Sequence, residues 1–460
     1  MRGLPVTLGI DLSTTSAKAA VVRADGKLLA LSVVPYPTTY LPDGGVEQDA
    51  EDWWRSVATA VRTAIGRSGA AHRVIALCAA TQGISVVPVD RDGAPLHQSI
   101  NWLDTRATHE VAALVSAFSN DRLYALTGRR PHAAYTLPKI AWIRQHKPDL
   151  YTRTARWLLP LPYLTEQLTG RAVADHTIAA GTYGYDVLNA EWSHELLAWA
   201  GLSIQQLPEL AWAGSVVGPL ITQAAEALAL PAGVPVVLGS QDQKCAAHFV
   251  GLKSGVATIS MGTAAAISGW SNRPLVDDLE RIPLSPYMNP NSWVLEGVVP
   301  AAGACIEWLS RLFSSGRTRT MSPAQTVSLA ADSPPGANGV IFVPHLAGPG
   351  TSDPESSPSG SFSGLHLGTT TADLSRAVLE GVAREVAANV EILKSLGIQV
   401  EELRLFGGGA RSPLWSELVA TASGVPTTVA QHSEATALGA ARIALEAVAG
   451  SQLGTIGRAD

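Results

Sequence analysis

One short pattern occurs twice in this chain, and it limits the fold more than any other feature. Its first copy is Ile10-Asp11-Leu12-Ser13-Thr14-Thr15-Ser16 after the apolar run Val6 to Ile10, and its second is Ile259-Ser260-Met261-Gly262-Thr263-Ala264-Ala265 after Val256 to Ile259. Each predicts a strand that enters a tight turn of small and hydroxyl residues and leaves on a second apolar strand, Ala19 to Val22 or Ala265 to Ile267. Small residues let a phosphate approach, and hydroxyls and backbone N–H groups can hydrogen-bond it. A Ser/Thr turn between strands can also be purely structural. Its recurrence, one copy per half and the first beside Asp11, points to a polyphosphate held between two similar domains.

Length agrees with duplication. The 460 residues, 46% of them hydrophobic, exceed what one core organises, and two domains are expected, 1–240 and 241–460. A net charge of −6 supplies no basic field for nucleic acid or an anionic membrane. The three cysteines, Cys78, Cys245 and Cys305, are odd in number and widely spaced, as expected of reduced thiols in a cytoplasmic protein. There is no charged leader with an apolar core behind it, and no apolar run reaches the roughly 18 residues of a membrane span.

Strands and helices alternate. Val74 to Ala79, Ile84 to Val89 and Val234 to Leu238 read as strands, and Glu51 to Ile65 as an amphipathic helix. Leu374, Val378, Val382, Val386, Val390 and Leu393 mark a long core helix capped by Thr371 or Asp373 and stopped by Gly397. Pro349 to Gly364, dense in Ser, Pro and Gly, reads as a loop, either at a cleft or on the plain surface.

Two long gapped motifs connect the chain to a known family. Thr136-Leu-Pro-Lys139-Ile140-Ala-Trp142-Ile143-Arg-Gln145-His146 follows one signature, departing only at Ala134, and Gly360 to Leu365 with Asp373 to Glu380 follows the other throughout. With Glu47-Gln48-Asp49, Trp102-Leu-Asp104-Thr-Arg106 and Gly407-Gly408-Gly409-Ala410-Arg411-Ser412, the chain resembles the FGGY carbohydrate kinases over nearly its entire length. The resemblance implies an α/β protein of two actin-like, ribonuclease H-like ATPase domains flanking a central cleft. It also implies ATP and Mg2+ as cofactors and a small sugar as the other substrate.

On local sequence alone, Asp242 in Gly239-Ser240-Gln241-Asp242 reads as the cap of a helix starting at Gln243; the resemblance makes it the catalytic base. Asp11 is assigned to Mg2+, through water, with Asp242 as a second carboxylate toward the ion; a strand-end Asp could also cap its own turn. Ser13, Thr14, Thr15 and Lys18 are expected around the β- and γ-phosphates from one side, and Gly262 and Thr263 from the other. Ser13 stands where the family usually has Gly. Gly407, Gly408, Gly409, Ala410 and Arg411 follow the strand Leu403 to Phe406 and fit the adenosine side of an ATP site. A Rossmann site is the rival there, but its third glycine and its downstream acid are missing. No P-loop, zinc-protease or G-x-S-x-G pattern occurs.

By the same resemblance Gln82, Gly83, Trp102, Asp104, Arg106 and Gln241 approach the sugar, with Trp102 as an apolar wall or as ordinary packing. The triple glycine and Ala180-Gly181-Thr182 are similar to xylulokinases, whereas Thr81-Gln82-Gly83 and Gly348-Pro349-Gly350 differ from the Met-His-Gly and G-E-R usual there. A pentulose such as D-xylulose is the expected acceptor. Erythritol-like polyols or an aldonate such as gluconate, met by Arg106 or Lys139, are alternatives, and glycerol is disfavoured because Gln82-Gly83 replaces an Arg-Glu pair. A sugar or nucleotide sensor and an actin-like ATPase are the rivals from other classes. Neither a monomer nor a homodimer is singled out.

Overall fold

A computed structural model describes residues 4–315, 320–430 and 434–456. It resolves into two compact units: one holds the chain to Phe249 together with Ser285–Ser292 and the helix from Thr436 onward, and the other holds Val250–Leu284 and Trp293–Ala435.

The first unit is built on a sheet of β1 (Val6–Leu12), β2 (Ser16–Arg23), β3 (Leu28–Pro35), β4 (Val74–Thr81), β5 (Val216–Pro219) and β6 (Pro235–Gln241), in the order β5-β6-β4-β1-β2-β3. β1 runs antiparallel to β2 and parallel to β4, and β4 is parallel to β6. All seven residues of β1 are buried, which a sheet covered on both faces requires. Helix α1 (Ala50–Ser68) packs against β2 and β3, capped by Asp49 and ended by the left-handed Gly69. Behind β1 lies the helix Ala435–Ile456: Thr7 Oγ1 donates to the Ala441 carbonyl at 2.9 Å, and a Cβ on Gly9 would sit 1.9 Å from the Ala437 carbonyl oxygen. The same helix approaches the helix α2 (Asp242–Val250) so closely that Gly439 has no room for a side chain against the Cys245 carbonyl.

The second unit repeats the plan with β7 (Gly255–Met261), β8 (Ala265–Ser271), β9 (Trp293–Val299), β10 (Val400–Phe406) and β11 (Thr427–Val429), neighbours in the order β9-β8-β7-β10-β11. β7 is antiparallel to β8 and parallel to β10, as β1 is to β2 and β4. Both units therefore share a central plan in which the first strand lies between an antiparallel second strand and a parallel strand from later in the chain, as expected of ribonuclease H-like, actin-type domains. Helices α3 (Gly303–Ser314), α4 (Thr371–Ser395) and α5 (Pro413–Ser423) belong to this unit.

Local outcomes differ from expectation where long-range geometry intervenes. The strand expected over Ile84 to Val89 shortens to Val87–Val89, because Ile84 lies at φ 56°, where no extended strand can run. The cap of α4 is Thr370, whose hydroxyl and the Asp373 carboxylate serve each other's backbone N–H groups. The Pro349 to Gly364 segment is tied to β9 by Thr351, which donates its N–H to the Val298 carbonyl and accepts the Val298 N–H on its hydroxyl; Ser361–Ser363 pairs with Ile341–Val343. All three cysteines are free and buried, and among the described residues no helix is long and apolar enough to cross a membrane.

Candidate active site

Three parallel strands end in register in the first unit. Leu12 is opposite Thr81, and Thr81 is opposite Gln241, so the turn after Asp11, the Gln82-Gly83 corner and the Gln241-Asp242 corner share one edge of the sheet. The contact is close at Gly83, where a Cβ would lie 3.3 Å from Gln241 Nε2. Beside it Ile84, a β-branched residue held at positive φ, marks a strained backbone of the kind found at functional corners.

The first turn is ordered by its own hydroxyls. Ser13 N–H and Ser13 Oγ both donate to the Ser16 carbonyl at 3.0 Å, and Ser13 keeps a negative φ, which explains why Ser is tolerated where the family has Gly. Asp11 is 2% exposed and forms an ion pair of 3.4 Å with Lys18, its cross-strand partner. Thr14 accepts the Trp102 indole N–H at 3.0 Å, which joins the turn to the Trp102 loop, while Thr15 is exposed.

Below this edge lies a buried polar hub. Gln48 Oε1 accepts from Trp53 Nε1, Gln82 Nε2 and Asn101 Nδ2 at 3.1, 2.9 and 3.1 Å, and Gln48 Nε2 donates to the Thr14 carbonyl. Asn101 Nδ2 also reaches Gln82 Oε1, and Tyr36 donates to the Ser13 carbonyl. Burial pushes the Tyr36 phenol far up, and the charges of Asp11 and Asp242 add to that shift. Gln82 is buried within this hub, whereas Trp102 is exposed and Gln241 and Asp242 are half-buried.

Asp104 and Arg106 form a brace in the first unit. The Asp104 carboxylate accepts from the Val46 and Arg106 amides and from the Arg106 guanidinium, which also bonds Glu47 at 2.8 Å and lies 4.4 Å above the Trp142 ring. Lys139 is buried with Nζ donating to the carbonyls of Asn101 (2.8 Å) and Ala134. Burial lowers its pKa to about 7.

Asp242 is the first residue of α2, and its Oδ1 accepts the N–H of the next residue, Gln243, at 2.7 Å.

The second unit is hollow at the corresponding strand ends. A cavity of about 660 Å³ is lined by Gly262, Thr263, Gly408, Gly409 and Arg411, with apolar walls from Ile306, Val327 and Trp415. Gly407 stands behind it at φ 91°, and a Cβ there would lie 2.9 Å from the Met261 carbonyl. Ala410 is buried. Gly303, at the start of α3, donates its N–H to the Gly262 carbonyl at 2.9 Å. Apolar walls with backbone amides at one end suit a nucleotide base and its phosphates.

Comparison with known proteins matches this architecture. The family model for the FGGY carbohydrate kinases fits residues 6–249 with its N-terminal domain and 257–448 with its C-terminal domain. The chain belongs to the FGGY family of carbohydrate kinases. Among FGGY relatives, the xylulose kinase of Escherichia coli K12 is 30% identical, covering 95% of this chain and 89% of the relative. The xylulose kinase structure from Rhodospirillum rubrum superposes with a TM-score of 0.89 at 28% identity, covering 97% of this chain and 90% of that one. A gluconate kinase from Lactobacillus acidophilus shares the fold, with a TM-score of 0.88 at 24% identity over 97% and 90% of the two chains. As an FGGY kinase the protein is an ATP-dependent sugar kinase.

Sequence reasoning overlooked Tyr36, Asn101 and Gly303, and gave Gln48 no role. No local motif flags them: Tyr36 follows an edge strand and Gly303 an ordinary apolar run. Among the described residues no cluster of three or more His, Cys, Asp or Glu could cage a metal. Asp11 and Asp242, both carried at the strand-end edge of the first unit, fit Mg2+, which keeps waters and takes phosphate oxygens alongside one or two carboxylates.

Proposed function

We propose that this FGGY kinase transfers the γ-phosphoryl group of ATP to a hydroxyl of a neutral pentulose, with D-xylulose the first candidate. The observation that carries the reading is the shared strand-end edge of Asp11, Gly83, Gln241 and Asp242. Asp242 accepts the proton of the acceptor hydroxyl as the new O–P bond forms and the bond to ADP breaks. Trp102 offers an apolar face to the sugar, and Gln241 an amide for its hydroxyls. Lys18, with the Ser13–Thr15 turn, faces the transferring phosphate, and Gly262, Thr263 and Gly407–Arg411 hold the nucleotide. Mg2+, held by Asp11 and Asp242 through water, would neutralise phosphate charge.

The relatives named xylulose kinase support the pentulose. So does the state of the two cations that an aldonate would need. Arg106 is committed to Asp104 and Glu47, and Lys139 to two backbone carbonyls, so neither is set to meet a carboxylate.

ATP consumption with magnesium, measured against pentuloses, polyols, hexoses and aldonates, tests this. D-xylulose or another neutral acceptor should raise turnover well above gluconate. Asp242→Ala should remove about two to four orders of magnitude of kcat. Equal activity of Asp242→Ala would sink the base assignment. A gluconate preference would sink the neutral-acceptor reading, and sugar-independent hydrolysis would point to an ATPase.

A further inference from the structure

Beneath the Gln241-Asp242 corner lies a second layer of polar side chains with no part in the reading above. β6 loses register with β4 between Leu238 and Gln241, and Gly239 is required there because a Cβ would meet the Ala79 carbonyl oxygen at 1.9 Å. An irregular strand end does not by itself fix the direction of the residue that follows. Here two buried hydroxyls complete the corner. Thr177 Oγ1 accepts the Gln241 N–H at 3.1 Å and lies 2.7 Å from Ser240 Oγ. Thr177 belongs to the short helix His176–Ala180, whose cap Asp175 accepts the N–H groups of Thr177 and Ile178 at 2.9 and 3.2 Å. Asp175, Thr177 and Ser240 are all buried, so water cannot replace a lost partner cheaply.

The geometry points to Thr177 as a positioning residue for phosphoryl transfer: its hydroxyl fixes the Gln241 amide and so aims the adjoining Asp242 carboxylate at the acceptor. This rests on the assignment of Asp242 as the base. Thr177→Val keeps the shape of the side chain and removes the acceptor, leaving the Gln241 N–H and the Ser240 hydroxyl to rearrange. Nucleotide binding does not pass through this contact, and sugar binding meets it only through the Gln241 side chain. Aim does, and a displacement of about 1 Å at a reacting group costs on the order of 100-fold.

The test is the rate of ADP formation from ATP and D-xylulose by Thr177→Val and Thr177→Ser, each made in the natural protein and in Asp242→Ala. Thr177→Val should lower kcat about 10- to 100-fold, with the KM for ATP changed less than about threefold and the KM for D-xylulose changed by less than kcat, and Thr177→Ser should restore most of the rate. In the Asp242→Ala background Thr177→Val should change the residual rate by less than about twofold, because there is no longer a base to aim. Unchanged kcat, an equal loss in both backgrounds, or Thr177→Ser as slow as Thr177→Val would overturn the proposal. If Thr177→Val does not fold, Ser240→Ala takes its place: a kcat loss that vanishes in Asp242→Ala supports the proposal, and an equal loss in both overturns it. Failure of the base assignment has a separate signature, Asp242→Ala at natural turnover whatever stands at position 177.

Discussion

At the ends of β1, β4 and β6 the side chains are polar, buried and bonded to one another, whereas at the ends of β7 and β10 glycines leave almost no side chains at all. Five strands follow the same order in both sheets, and the strands compared here are among them, so topology does not account for the contrast. The first edge is filled: Gln48, Gln82, Asn101 and Tyr36 form a buried network with Trp102 and Asp242 at its open side. The second edge is empty, an apolar-walled cavity with backbone at one end. One duplicated scaffold can thus serve two ligands of different chemistry. Directed hydrogen bonds to a small polyol need fixed side chains, and a base with a triphosphate needs flat apolar walls and exposed amides.

If the two edges are divided in this way, substitutions at one should leave the other's ligand alone. The largest effect on a KM is expected from Trp102→Ala, which removes the exposed face and its bond to Thr14. The KM for D-xylulose should rise about 10- to 100-fold, the scale of a pocket contact of about 1–3 kcal/mol, with the KM for ATP nearly unchanged. A matching rise in both constants would break the division.

Gly409→Val probes the other edge. Its side chain would begin 2.9 Å from the Trp415 ring and 3.1 Å from Met261 Cβ, narrowing the cavity. We expect the KM for ATP to rise about tenfold through a strain of roughly 1–3 kcal/mol, with sugar affinity, read by quenching of tryptophan fluorescence, unaltered.

The last effect concerns stability and touches neither ligand. Burial brings Lys139 to about 7 in the folded protein, below the usual lysine range of an unfolded chain. Its folded pKa is depressed, so its contribution is most favourable above the unfolded pKa and is lost as pH falls through about 7. Urea midpoints measured from pH 7 to pH 10 should rise with pH more steeply for the natural protein than for Lys139→Met. Parallel slopes would show that Lys139 is not driven toward neutrality.

Much of this division can be read from the residues in order. The two turns, Asp11, the triple glycine and the strand before Asp242 are local patterns, and each falls where the pattern places it. The hub is not local. Gln48 is 34 residues from Gln82 and 53 from Asn101, and a sequence offers no sign that two amides and an indole will converge on the Gln48 side-chain oxygen. Asp104 and Arg106 illustrate the opposite difficulty. Their types suit sugar recognition, but Asp104 bonds Val46, 58 residues away, and Arg106 bonds Glu47. Only the fold shows that these charges are spent on each other.

The helix Ala435–Ile456 carries a consequence for how the protein is made. It covers β1, reaching Thr7 across 434 positions, and presses backbone to backbone at Gly9 and Gly439. A ribosome releases the opening strands of this sheet long before the segment that shields their second face. Throughout that interval the nascent first unit presents an uncovered apolar surface to chaperones, and a transcript cut after the second unit's last strand would leave it so permanently.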